Sequence, residues 1–272
     1  MPQTTILVTG AQGRVGGQLL PGLGDGTGLR LLDRTEGPAY GVAEQVIGEL
    51  TDPKVLDQAL DGVDAVVHLA GNPDPEADWR QLREPNVEGF VRLLAAAQDK
   101  GVRRVVFASS VHAMGAHEGE GRWPIDPAWP PAPCCAYGAT KAFDEAMARA
   151  YAYRTDLSVV GLRFGLCAEE ATPEEETAGW LAPVDLRNIV RAALDADVHF
   201  GVYPAVSWPS SARWDLRTAI ADLGYAPVGY DPAQETDASQ NDRVPVDAAT
   251  ATCVPPNVQL ITCGLDEARA TS

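Results

Sequence analysis

The sequence predicts an α/β fold: a doubly wound parallel sheet with helices on both faces and a small C-terminal substrate-binding region. Three observations carry the prediction. Short apolar runs of strand length alternate with stretches of helical period from residue 5 to about residue 162. Those runs lack polar alternation, as strands covered on both faces require. A glycine-rich turn joins the first run to the first helical stretch, and right-handed crossovers then wind the sheet in both directions.

Residues 5–9, Thr-Ile-Leu-Val-Thr, read as the first buried strand, and residues 14–23 as the helix behind the glycine turn. Residues 29–33 and 45–47 are strands two and three. A helix follows from Asp52, a good N-cap, with Pro53 at the first helical position, where its missing N–H costs nothing. Residues 64–70 are strand four, and residues 85–100 a long helix stopped by Gly101. Residues 104–108 give strand five, 136–154 a helix and 157–162 strand six. Beyond these the pattern thins to a helix at 185–194, a short strand at 201–204 and a helix at 211–223. The reading is one domain over residues 1–230, with substrate-region segments at about 163–184 and 200–230, followed by a polar tail or arm over 231–272.

Composition narrows the function classes. A formal charge of −17 repels nucleic acid and anionic membranes, so neither is expected as a partner. No apolar run reaches the roughly 18 residues of a membrane span. The first five residues lack the basic start of a signal peptide. Five cysteines (Cys134, Cys135, Cys167, Cys253, Cys263) show no metal-type spacing, so no metal site is expected and a reduced, cytoplasmic protein is.

The turn Gly10-Ala11-Gln12-Gly13-Arg14-Val15-Gly16 lies between the first strand and the first helix. Glycines there let backbone approach a pyrophosphate, and the helix start offers free N–H groups and positive dipole. Asp33 closes the second strand, 17 residues beyond Gly16. A carboxylate at that point bonds both ribose hydroxyls and repels a 2′-phosphate, which favours NAD over NADP; Arg34 and Arg14 argue the other way.

Tyr137 and Lys141 stand four residues apart near a helix start, so both project from one face. With three lysines in 272 residues, a random tyrosine meets a lysine four places on about once in ninety. The pair suits hydride transfer at a carbinol carbon, which requires a proton to move on its oxygen. A phenol does this once an ammonium, helped by an oxidised nicotinamide, lowers its pKa. A hydroxyl to hold the substrate oxygen is expected where strand five ends. Ser109 and Ser110 are the candidates. Asn86, near the start of the long helix, either organises a water relay to Lys141 or caps or kinks the helix.

The order of glycine turn, Asp33, Leu69-Ala70-Gly71, Asn86, Ser109-Ser110, Tyr137 and Lys141 resembles the extended short-chain dehydrogenases, the NAD-dependent epimerase/dehydratase family, over roughly residues 4–230. Residues 107–112, 163–167, 214–215 and 223–227 are similar to the compact uronate dehydrogenases, which oxidise the anomeric carbon of a uronate with NAD. The resemblance implies a Rossmann fold and an NAD-dependent oxidoreductase. It places Glu49-Leu50 near adenine, Leu69, Ala70 and Gly71 along the cofactor, and Tyr137 and Lys141 on both cofactor and chemistry. It implies Ser110, five residues before Gly115, as the hydroxyl on the substrate oxygen, and places Ser110, Val111, His112, Tyr137, Leu166 and the loop at Glu175 around the substrate. It also implies a homodimer through the two long helices. Three departures redirect the substrate: Val111 replaces an asparagine, Leu166 a serine, and Glu175 aligns with the arginine that holds the uronate carboxylate. A carboxylate facing a carboxylate repels, so the expected substrate is a sugar, polyol or other carbonyl compound. The alternatives are a sugar-nucleotide epimerase or dehydratase with retained NAD, opposed by the short C-terminal region, and a non-catalytic dinucleotide sensor, opposed by the intact Tyr137 and Lys141.

Overall fold

The computed structural model describes residues 4–23, 27–40, 44–173, 178–208 and 213–232. The strands are β1 (Thr5–Thr9), β2 (Gly28–Asp33), β3 (Glu44–Ile47), β4 (Ala65–His68), β5 (Arg104–Ser110), β6 (Ser158–Phe164), β7 (Leu166–Cys167), β8 (Trp180–Leu181) and β9 (Phe200–Ala205). Seven form one sheet in the order β3-β2-β1-β4-β5-β6-β9, every pairing parallel, and β7 and β8 form a small ribbon. The helices are α1 (Arg14–Leu19), α2 (Pro53–Leu60), α3 (Trp79–Leu82), α4 (Gly89–Asp99), α5 (Gly115–Gly119), α6 (Ala136–Arg154), α7 (Pro183–Asp195) and α8 (Arg217–Leu223).

The period of two decides which residues build which layer. Ile6, Val8, Leu31 and Val160 face α1, α7 and α8, while Leu7, Leu32, Val66 and Val159 face α2, α4 and α6. Both layers are largely apolar at the sheet, which is why the strands read as continuous apolar runs. Each fully buried leucine contributes roughly 1.5–3 kcal/mol. The strand order reverses between β1 and β4, so a crevice opens beyond their carboxyl ends, where sheets of this kind bind ligands. No helix among the described residues is long and apolar enough to cross a membrane.

Where the sequence reading differs, backbone chemistry explains it. The helix expected from residue 85 begins at Trp79: α3, a π-helical turn over Arg83–Glu88 and α4 are consecutive. Pro85 has no N–H to donate, so the helical ladder shifts register around it rather than starting there. A capping box between Asp78 and Gln81 supplies the true start. Strands β5 and β6 each run two residues further than expected, to Ser110 and Phe164, and β4 stops at His68. The expected helix at 14–23 divides into α1 and a tighter turn at Leu20–Gly22 carrying Pro21. Of the helix expected over 211–223, residues 211 and 212 lie outside the described residues, as does nearly all of the expected tail at 231–272.

Candidate active site

The glycine turn is dictated by sterics. Gly10 has φ +70°, and a Cβ there would lie 2.6 Å from the Ala70 nitrogen, so β1 and β4 approach each other only through a bare backbone. A Cβ on Gly16 would sit 2.3 Å from the Ala11 oxygen, whereas one on Gly13 would meet only the Gly10 oxygen at 3.2 Å. Gly13 is the N-cap of α1 and no side chain caps that helix, so its first N–H groups are presented to a ligand. Gly16→Ala is therefore expected to cost about 3 kcal/mol of stability, near the upper end for overpacking. Gly13→Ala should melt within a few degrees of the parent yet lose about tenfold or more in dinucleotide affinity, measured by calorimetry.

Asp33 is locked over this turn. Its Oδ2 accepts from the Gln12 N–H at 2.9 Å and its Oδ1 from the Arg34 N–H at 2.7 Å. The Gln12 amide instead reaches Pro38 O at 3.3 Å. Arg14 and Arg34 are exposed, and the charge of Arg14 is felt at the buried Cys167 thiol. Burial pushes that thiol up to about 12. Val15 packs on the core, Leu50 is buried against Gly89, and Glu49 is exposed beside it. Leu69 and Ala70 are half-buried at the end of β4, and Gly71 is exposed with φ +153°.

Tyr137 and Lys141 are both buried on α6, and Lys141 Nζ lies 5.9 Å from the Tyr137 ring centroid. Gly138 brings them to β5: a Cβ there would lie 2.3 Å from the His112 oxygen, so α6 meets the 3-10 turn Val111–Met114 in close contact. Ser110 thereby comes close enough to the Tyr137 hydroxyl to lower its pKa, and its Oγ accepts from the His112 N–H at 3.2 Å. Burial raises the Tyr137 pKa, Lys141 and Ser110 pull it down, and burial prevails. The lowered value expected from the sequence is thus not present in the chain alone, because desolvation outweighs one ammonium already partnered by Asp144. That partner was missed from the sequence. Asp144 Oδ2 accepts from Lys141 Nζ at 3.2 Å, both are buried, and burial pushes the Asp144 carboxyl up to about 7.

The two serines have different partners. Ser109 donates to Glu145 Oε1 at 2.6 Å, and Glu145 accepts two 2.9 Å bonds from Arg163, all three residues being buried. Ser109 is occupied in a structural ion pair and Ser110 faces Tyr137. Asn86 sits in the π-helical turn, accepts from Asn72 N at 2.7 Å, and donates to Asn72 O at 3.0 Å and to Thr140 Oγ1 at 3.2 Å. It thus ties the loop after β4 to Thr140, the residue preceding Lys141.

The outer residues are mixed. The Val111 side chain packs with Met114, Ile125, Trp214 and Leu216, turned into the core rather than to a ligand. His112 is half-buried, burial lowers its pKa, and its ring meets Tyr137 edge-on at 5.6 Å between centroids. Leu166 is half-buried in β7 opposite Trp180. Glu175 lies outside the described residues. Ser110, His112, Tyr137 and Lys141 thus converge at the carboxyl edge. The buried Cys167 thiol is coupled electrostatically to both Tyr137 and Arg14.

A family model described as the NAD dependent epimerase/dehydratase family matches residues 6–197. An NAD-dependent glucose-6-phosphate dehydrogenase of Haloferax volcanii is 34% identical over 82% of this chain and 92% of its own length. A uronate dehydrogenase of Pseudomonas syringae is 33% identical over 91% of this chain and 87% of its own. Among solved structures, a glucuronic acid dehydrogenase from Chromohalobacter salexigens superposes with a TM-score of 0.77 at 29% identity, covering 85% of this chain and 86% of that one. A uronate dehydrogenase variant from Agrobacterium tumefaciens, complexed with NAD, gives 0.76 at 29% identity, over 83% and 84% of the two chains.

Proposed function

The chain belongs to the NAD dependent epimerase/dehydratase family, and on that premise we propose that it is an NAD-dependent dehydrogenase of a free sugar or sugar-like secondary alcohol. The convergence of Ser110, Tyr137 and Lys141 beside an uncapped glycine turn carries this reading. Gly10, Gln12, Gly13, Arg14, Val15 and Gly16 would hold the pyrophosphate, Asp33 and Arg34 the adenosine ribose, Glu49 and Leu50 the adenine, and Leu69, Ala70 and Gly71 the nicotinamide half. Relatives named for a sugar phosphate and for uronates support a sugar-like substrate.

A bound oxidised nicotinamide supplies the hydride acceptor and one further positive charge. The residues of the chain do the rest. Ser110 donates to the substrate oxygen and fixes its distance from Tyr137. Tyr137 acts as the phenolate that Lys141 stabilises, and takes the hydroxyl proton as the C–H bond is lost, ending as the neutral phenol. Burial of all three excludes water and strengthens each interaction. His112 contacts the substrate from the edge of the Tyr137 ring, with Leu166 and the Glu175 loop further out. The test is to mix the protein, NAD and a panel of neutral sugars, sugar phosphates and uronates. Net NADH accumulation is expected. Dinucleotide binding with no turnover on the panel overturns the reading.

Asp144 sets the pH response. Its carboxylate raises the Tyr137 pKa and partners Lys141. Asp144→Asn removes both effects, so the phenol ionises more readily. The rising limb of log kcat/KM for alcohol oxidation, which follows Tyr137 deprotonation, is expected to move to lower pH. An unmoved or alkaline-shifted limb counts against this role.

A homodimer belongs to the same reading. Ala139, Ala146, Ala150 and Tyr153 form an exposed stripe on α6, with Tyr153 85% exposed. Sedimentation is expected to give twice the chain mass, and Tyr153→Glu to give monomer.

A further inference from the structure

The cysteines without metal-type spacing in sequence come together in space. Sγ of Cys134 and Sγ of Cys135 each lie 3.5 Å from Nδ1 of His112, and the two sulfurs are 3.9 Å apart. Tetrahedral zinc has Zn–S of about 2.3 Å and Zn–N of about 2.0–2.1 Å, which places sulfur atoms about 3.8 Å apart and sulfur from nitrogen about 3.5 Å. The three atoms therefore mark out one face of a tetrahedron at ligand spacing. Backbone contacts fix that face. Cys135 caps α6, its Sγ accepting from Gly138 N at 3.3 Å, and Gly138 presses on the His112 carbonyl. Cys135 carries a free thiol, whereas Cys134 is disulfide-bonded.

The geometry points to a redox-gated inhibitory site for a soft divalent cation, zinc in class, formed by His112, Cys134 and Cys135 once Cys134 is reduced. Two thiolates and an imidazole select such a cation over magnesium or calcium. A thiol or phosphine reductant is the co-reactant. It supplies two electrons, the S–S bond breaks and each sulfur takes a proton. The cation then binds the Cys134 sulfur so released and the already free Cys135 sulfur, displacing one proton from each. Bound there, it leaves the net charge of the site unchanged, since two protons leave as two positive charges arrive, and it inhibits by fixing the His112 ring, which meets Tyr137 edge-on, and taking up its Nδ1. The inhibitory half of this inference rests on the dehydrogenase reading; the binding half does not.

The test uses cobalt(II) as a spectroscopic stand-in on the full-length protein, reduced with a phosphine that takes up oxygen from water. One cobalt per chain is expected, with a thiolate-to-cobalt charge-transfer band that zinc abolishes. The unreduced protein should show none, and Cys134→Ser and Cys135→Ser should each lose most of it; serine also caps α6, so the helix start is kept. Zinc should suppress NADH formation by the reduced parent and leave Cys134→Ser at its own zinc-free rate. No band in the reduced parent, or an equal band in both variants, overturns the site. A band without inhibition overturns the inhibitory role. Because the band needs no turnover, its loss is distinguishable from failure of the dehydrogenase reading.

Discussion

Tyr137→Phe is expected to lower kcat for sugar oxidation by roughly 10²- to 10⁴-fold while dinucleotide affinity stays within a few-fold of the parent. The substitution removes one oxygen and little else. The ring keeps its edge contact with His112 and its approach to Lys141, so packing on α6 survives. What is lost is the acceptor for the substrate proton and the partner of Ser110. A proton then leaves to water, in a site from which burial has removed water. Single-turnover NADH formation separates this from binding, and quenching of tryptophan fluorescence by the dinucleotide reports affinity. A loss of only a few-fold would mean that another group carries the proton and that the convergence at β5 and α6 is structural.

Much of this site was legible in the sequence because it is local. The glycine turn, Asp33 and the pair Tyr137 and Lys141 depend on spacing along one strand-helix unit, and a spacing survives folding intact. The seven-stranded sheet followed from the apolar runs for the same reason. What stayed hidden depends on residues far apart in the chain. Asp144 and Glu145 look like solvated helix carboxylates in the sequence, yet both are buried against Lys141 and Arg163. Cys134 and His112 are 22 residues apart and meet only because Gly138 admits the His112 carbonyl. The π-helical turn at Asn86 was masked by Pro85, which reads equally well as a helix start.

The largest stability effect is expected at Glu145, and it separates two adjacent serines by function. Glu145 is the only carboxylate that the described contacts give to buried Arg163, and the pair is bidentate. Glu145→Ala strands a guanidinium away from water, which costs about 3–5 kcal/mol. For a domain of this size that is about 10 °C or more in Tm. Ser109→Ala removes a hydroxyl bond to the same carboxylate and should cost about 1–2 kcal/mol with kcat preserved, since its Oγ is directed at Glu145 rather than at Tyr137. Ser110→Ala should behave in the opposite way. It loses the cap on the turn at His112, about 1 kcal/mol. It also loses the donor that holds the reacting oxygen, so kcat should fall by roughly 10²-fold or more. Thermal melts and kcat for the three variants together decide the assignment. If Ser109→Ala abolishes turnover at unchanged Tm, the two serines have exchanged roles, and Glu145 with Arg163 belongs to the reacting group instead of to the frame that holds it.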